Sequence, residues 1–134
     1  MTSPNEKPDI ALLSWINQVA PYGVITLDES LQVKSWNHWM ELHSGLRSQD
    51  VQGKKLFSLY PDLAGRRLGP IFERTLQGEP IVLSTGLHRY LLPFRSNWRE
   101  HGDEWMRQTA RIAPLRSEGT VCGVVVLIED VTQR

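Results

Sequence analysis

Tyr22–Asn37, YGVITLDESLQVKSWN, is the stretch on which the fold turns. Gly23 to Asp28 reads as a short strand, GVITLD. Glu29 and Ser30 make a tight connection, and Leu31 to Ser35 alternates apolar and polar as a second strand. Together they form a hairpin. Asn37 follows at once. Its short amide can accept a hydrogen bond from the first turn of a helix and can also bond back to the hairpin. A helix is therefore predicted through Trp39, Met40 and Leu42, with Gly45 as its C′ stop.

Upstream, residues 1–8 hold two prolines and several polar residues and read as a disordered lead-in. Asp9 suits an N-cap, and Ile10, Leu13, Ile16 and Val19 recur at helical spacing, with Leu12 beside them. Pro21 stops this helix at about Val19, so a flanking helix is expected over 9–20. An apolar stripe on a helix needs a cover, either the domain's own sheet or the same helix of a second subunit. A parallel homodimer through Ile10, Leu13, Ile16 and Val19 is expected on that basis.

Downstream, residues 46–69 are short, mixed and rich in turn formers, and read as brief helical turns around Val51–Leu56 and Phe57–Leu63. Gly69 and Pro70 open a clear helix over Ile71–Leu76, with proline in its first turn. Ile81–Ser84 and His88–Phe94 read as one edge region of strand, bent at Gly86. Arg95–Trp105 is a charged stretch that reads as a long hairpin tip. Met106–Leu115 is a long strand, and the turn Ser117-Glu118-Gly119 joins it to Val121–Val131. That last strand is nearly all apolar, as expected of the middle of a sheet covered on both faces. Strand runs separated by a block of helices give an α+β class: a five-stranded antiparallel sheet, short helices on one face, and an N-terminal flanking helix.

Composition removes several function classes. The chain has 134 residues, enough for one ordinary core. Fifteen basic residues balance fifteen acidic ones, so no nucleic-acid partner is expected. The small basic pairs Lys54, Lys55, Arg66 and Arg67 read as solvated surface. The single cysteine, Cys122, cannot form an intrachain disulfide. Met1–Lys7 lacks the apolar core of a signal peptide, and the longest apolar run, Val124–Ile128, is far too short for a bilayer. A cytoplasmic domain without direct membrane contact is expected.

Three motifs carry a resemblance. YGVITLDESLQVKSWN with Asn37, HSGLRSQDVQGKKL with Gly45, Gly53 and Lys54, and LIEDVTQR with Asp130 and Thr132 resemble the PAS domain. LQGEPIVLSTGLHRYLLPF resembles the PAS domains of bacterial sensor histidine kinases and cyclic-nucleotide signalling proteins such as diguanylate cyclases. The resemblance runs from Tyr22 to Thr132 and places the domain over 21–132, with 133–134 opening a linker to an output domain of the natural chain. It implies a non-catalytic sensory module in which Asn37, Asp130 and Thr132 relay a signal. The alternative is a ligand-free interaction and dimerisation domain.

The cofactor remains unassigned. The covalent-flavin subgroup needs a cysteine after the mid-domain helices, whereas Cys122 lies on the last strand. The haem subgroup uses a histidine on the long helix, and residues 70–78 contain none. His38 and His43 are five apart and do not share a helix face, so no metal site is expected. No phosphate loop, GxSxG or Ser/His/Asp set occurs, so no enzyme is expected. An interior ligand would meet Leu56, Phe57, Leu68, Ile71, Phe72 and Leu76 from the helices. From the sheet it would meet Leu83, Tyr90, Ile112, Val124 and Val126, with His88, Arg89, Tyr90 and Arg111 as polar contacts. The same apolar positions also suit a filled core. The five tryptophans are assigned to core or interface.

Overall fold

A computed structural model describes residues 11, 12, 15, 18–84, 89–95 and 105–132. The expected lead-in over 1–8 lies outside these residues. Ala11, Leu12, Trp15, Gln18 and Val19 are helical, in keeping with the flanking helix. Then come β1 (Gly23–Asp28), β2 (Val33–Trp36), α1 (His38–Ser44), α2 (Ser48–Val51), α3 (Leu56–Leu59), α4 (Asp62–Gly65), α5 (Gly69–Leu76), β3 (Ile81–Leu83), β4 (Gln108–Ser117) and β5 (Thr120–Asp130).

The five strands form one antiparallel sheet in the order β2-β1-β5-β4-β3. The apolar β5 is central, as its composition predicts. The β4–β5 turn puts Glu118 and Gly119 at φ 52° and 82°, a tight turn of the left-handed kind that matches strand twist. Alternation sorts the sheet into two faces. Ile25, Leu27, Ala110, Ile112, Val124, Val126 and Ile128 are buried on the inner face, where α5 packs on β4 and β5.

Several boundaries differ from expectation: the brief helical turns fall at Ser48–Val51, Leu56–Leu59 and Asp62–Gly65 rather than around Val51–Leu56 and Phe57–Leu63, and β4 begins at Gln108 rather than Met106. Two further differences have traceable causes. The second strand begins at Val33 rather than Leu31. The Asp28 carboxylate accepts from the N–H groups of Ser30 and Gln32, both at 2.9 Å, and this holds Leu31 in the turn at φ 62°. Arg89–Phe94 is not strand, although His88–Phe94 is predicted as one. Leu91 and Leu92 are consecutive and both buried, which no alternating strand allows, and Pro93 has no N–H to give a ladder. His88 itself lies outside the described residues. So do most residues of the expected hairpin tip. Its ends are joined by a bridge between Arg95 and Trp105 and by Met106 N–H donating to the Phe94 carbonyl at 2.7 Å.

One glycine is demanded by close approach. A Cβ on Gly123 would sit 2.1 Å from the Leu27 carbonyl oxygen of β1. Gly123→Ala should force the two central strands apart and cost about 2–3 kcal/mol in urea unfolding. A loss below about 0.5 kcal/mol, the scale of a neutral surface change, would show that the strands yield freely.

Candidate functional site

The helices and the inner sheet face enclose one apolar cluster. Leu56, Leu68, Phe72, Leu83, Ile112, Val124 and Val126 are buried in it, and Phe57, Ile71 and Leu76 pack against it partly buried. Phe57 meets Phe72 edge to face at 5.3 Å between ring centroids. Tyr90 stands apart: its ring lies 4.7 Å from the Arg66 guanidinium carbon and 6.1 Å from the Trp105 ring. Arg111, expected as a polar contact of an interior ligand, lies elsewhere. Ala110 and Ile112 on either side of it point inward, so alternation turns Arg111 to the outer face, away from any interior ligand. Arg89 is exposed, and its carbonyl accepts from the Gln108 N–H at 2.8 Å.

Sequence reading passes over two side chains that organise the cluster's polar edge. Gln108 is buried, and its Oε1 accepts from the N–H groups of Leu91 at 2.9 Å and Leu92 at 3.1 Å. Its Nε2 donates to the Leu92 carbonyl at 2.8 Å. Arg66, read from sequence as solvated surface, donates to the carbonyls of Tyr90 at 2.7 Å and Leu91 at 2.5 Å, and pairs with Asp62 at 2.6 Å. Its parity with the apolar Met106, Ala110 and Ile112 is the one signal that marks Gln108 in advance. No local signal marks Arg66.

The expected relay residues form two junctions. Asn37 is buried; its Oδ1 accepts from Met40 N–H at 3.2 Å and Val24 N–H at 3.0 Å. Its Nδ2 donates to the Tyr22 carbonyl at 2.9 Å. It thus caps α1 and ties it to β1, the double role its amide chemistry predicts. At the other end, Asp130 Oδ1 accepts from the Thr132 N–H at 2.9 Å and hydroxyl at 2.5 Å. The Thr132 Oγ1 accepts from Arg107 N–H at 3.0 Å, and Val131 N–H donates to the Arg107 carbonyl at 2.8 Å. The end of β5 is thereby fastened to the start of β4.

Near this end, His43 lies 4.1 Å from the Trp39 ring. Burial pushes its imidazole pKa down, and the Asp130 carboxylate pulls it partly back. Burial pushes the Tyr60 phenol up to about 12. Among the described residues, no group of three histidine, cysteine, aspartate or glutamate side chains could hold a metal ion.

A family profile described as the PAS fold matches residues 18–134. The chain belongs to the PAS fold family. Solved structures of similar fold align with it over most of its length. A sensory box sensor histidine kinase from Vibrio cholerae is 22% identical, with a TM-score of 0.64, covering 96% of this chain and 95% of that one. The PAS domain of nitrogen regulation protein NR(II) from Vibrio parahaemolyticus is 17% identical, TM-score 0.61, covering 90% and 98%. VqmA from Vibrio cholerae, solved with a ligand and DNA, is 16% identical, TM-score 0.68, covering 93% of this chain and 52% of that one. No curated protein sequence matches the chain.

The outer face of the PAS sheet carries a cavity of about 190 Å³, lined by Tyr22, Thr109, Arg111, Leu127, Ile128 and Glu129. It opens on the side opposite the apolar interior. Of the expected dimer stripe, Ile10, Leu13 and Ile16 lie outside the described residues. Val19 is 50% exposed, and Leu12 and Trp15, on the same side of the helix by spacing, are 54% and 60% exposed. Trp36 and Trp39 are buried, as core tryptophans should be, and Trp105 is 41% exposed. No helix among the described residues is long and apolar enough to cross a membrane.

Proposed function

We propose that this PAS domain is a non-catalytic sensory module that pairs subunits through its N-terminal helix. It passes a change in its apolar interior, where a small molecule or partner acts, to an output domain of the histidine kinase or cyclase kind. One observation carries the reading. Val124, Val126 and Ile128 floor the interior, and the strand that bears them ends in the Asp130–Thr132 junction. Core and exit therefore share one rigid element. The sensor histidine kinase of similar fold supports the choice of output.

A ligand-free interaction domain is the second reading, favoured by the close burial of Leu68, Phe72, Ile112 and Val126. Native mass spectrometry and an absorption spectrum of the purified chain separate the two, since a retained small molecule is expected only for the first. Both readings predict a dimer at low micromolar concentration. Trp15→Glu with Val19→Glu places charge on the exposed apolar stripe and should convert it to monomer. An unchanged mass in solution would sink pairing through this helix.

A further inference from the structure

We propose that Arg89–Phe94 is the moving part of the domain: a strap over the apolar interior, latched by Gln108 and Arg66, whose release is read at Asp130–Thr132. This deepens the sensory reading and rests on it.

The fastening of the strap differs from that of every strand. Backbone bonds to the sheet side occur at its two ends, Arg89 carbonyl to Gln108 N–H at 2.8 Å and Phe94 carbonyl to Met106 N–H at 2.7 Å. Between them, the N–H groups of Leu91 and Leu92 and the carbonyls of Tyr90, Leu91 and Leu92 are held by the side chains of Gln108 and Arg66. Pro93 keeps the segment from joining the ladder. Segments outside a ladder open locally at lower cost than central strands.

Beneath the strap lies the interior. Leu91, Leu92 and Phe94 are buried in the same cluster as Leu68, Phe72 and Ile112. Lifting them leaves an apolar hollow edged by the Gln108 amide. An empty hollow is unfavourable, so the strap rests closed. A ligand that fills it shifts the balance by its differential affinity for the lifted form. Gln108 now engages both the N–H and the carbonyl of Leu92. The ligand it would take in exchange is uncharged and largely apolar, with a donor and an acceptor side by side, as in an amino-acid amide.

The read-out runs through consecutive residues. Gln108 holds the strap and pairs across the sheet with Asp130. Arg107, next to it, holds Val131 and Thr132. A strap that pulls on Gln108 therefore pulls on the exit junction.

Amide hydrogen exchange on the whole chain tests this. Arg66→Met keeps the aliphatic stem and loses the donors. The Leu91 and Leu92 amides should then exchange about 10- to 100-fold faster while the central β5 amides hold their rates. The Val131 amide should accelerate with the strap. Arg66→Lys, which keeps the charge, should fall between. N-acetyl-leucinamide added to the wild type should likewise speed exchange at Leu91 and Leu92, and N-acetyl-glutamate should not. Exchange of Leu91 and Leu92 only in step with β5, in the wild type and both variants, would overturn the strap. An unmoved Val131 amide beside a loosened strap would overturn the read-out, and indifference to N-acetyl-leucinamide would overturn the ligand class. These measurements need neither dimer nor native ligand, so their failure leaves the sensory reading to its own test.

Discussion

Phe72→Ala is expected to lower the stability of the domain by about 3–5 kcal/mol. Phe72 sits on α5, fully buried, and its ring packs edge to face with that of Phe57. The helix that carries it packs on β4 and β5, so the sheet cannot collapse into the space without moving its two longest strands. A domain of this size has only about 5–15 kcal/mol to lose, and the variant should unfold at a much lower urea concentration. The same measurement decides between a filled core and a lined cavity. A loss near 1 kcal/mol would mean that Phe72 borders empty space, because few contacts then vanish with the ring. Phe72→Leu should recover most of the loss, since a smaller volume change is tolerated.

Asn37→Ala should cost about 3 kcal/mol, a large figure for a change of one polar side chain. The helix cap alone accounts for about 1 kcal/mol. The rest comes from groups left behind: the Val24 N–H loses the Asn37 oxygen and the Tyr22 carbonyl loses the Asn37 amide, at a buried position. Asn37→Asp keeps an oxygen acceptor for Val24 and Met40 but gives up the donor to Tyr22, and should lie between alanine and wild type. Denaturant midpoints of the three proteins provide the check. If Asp matches wild type, the bond to Tyr22 contributes nothing, and Asn37 is simply a cap.

What could be read from the sequence was local in its causes. Asn37 declares its cap within three residues, Gly45 its left-handed stop at φ 75°, and Asp130 its hold on Thr132 two positions away. The central place of β5 followed from unbroken apolar character. The failures were non-local. Nothing near Arg89–Phe94 announces that Arg66, more than twenty positions earlier, caps its carbonyls, or that Gln108 substitutes a side chain for a neighbouring strand. Apolar residues in that stretch look like strand until their hydrogen bonds are traced. Arg111 is a simpler case: its strand is legible in the sequence, and the inward parity of Ala110 and Ile112 on either side turns it outward. The outer-face cavity joins Tyr22 to Thr109 and Glu129, residues from opposite ends of the chain, and no spacing rule could have found it.

The order of the sheet has a consequence for how the protein is made. β5 is the last of the five sheet strands in chain order, yet it lies between the first hairpin and the β3–β4 pair. Gly23 finds its partner only when Ile128 exists. Until then the nascent chain carries two separate half-sheets, each with an apolar side, Ile25 and Leu27 on one and Ala110 and Ile112 on the other. Closure of this sheet on the ribosome must wait for β5 to leave the exit tunnel, and a chain stalled before it would expose both halves to chaperones or to each other.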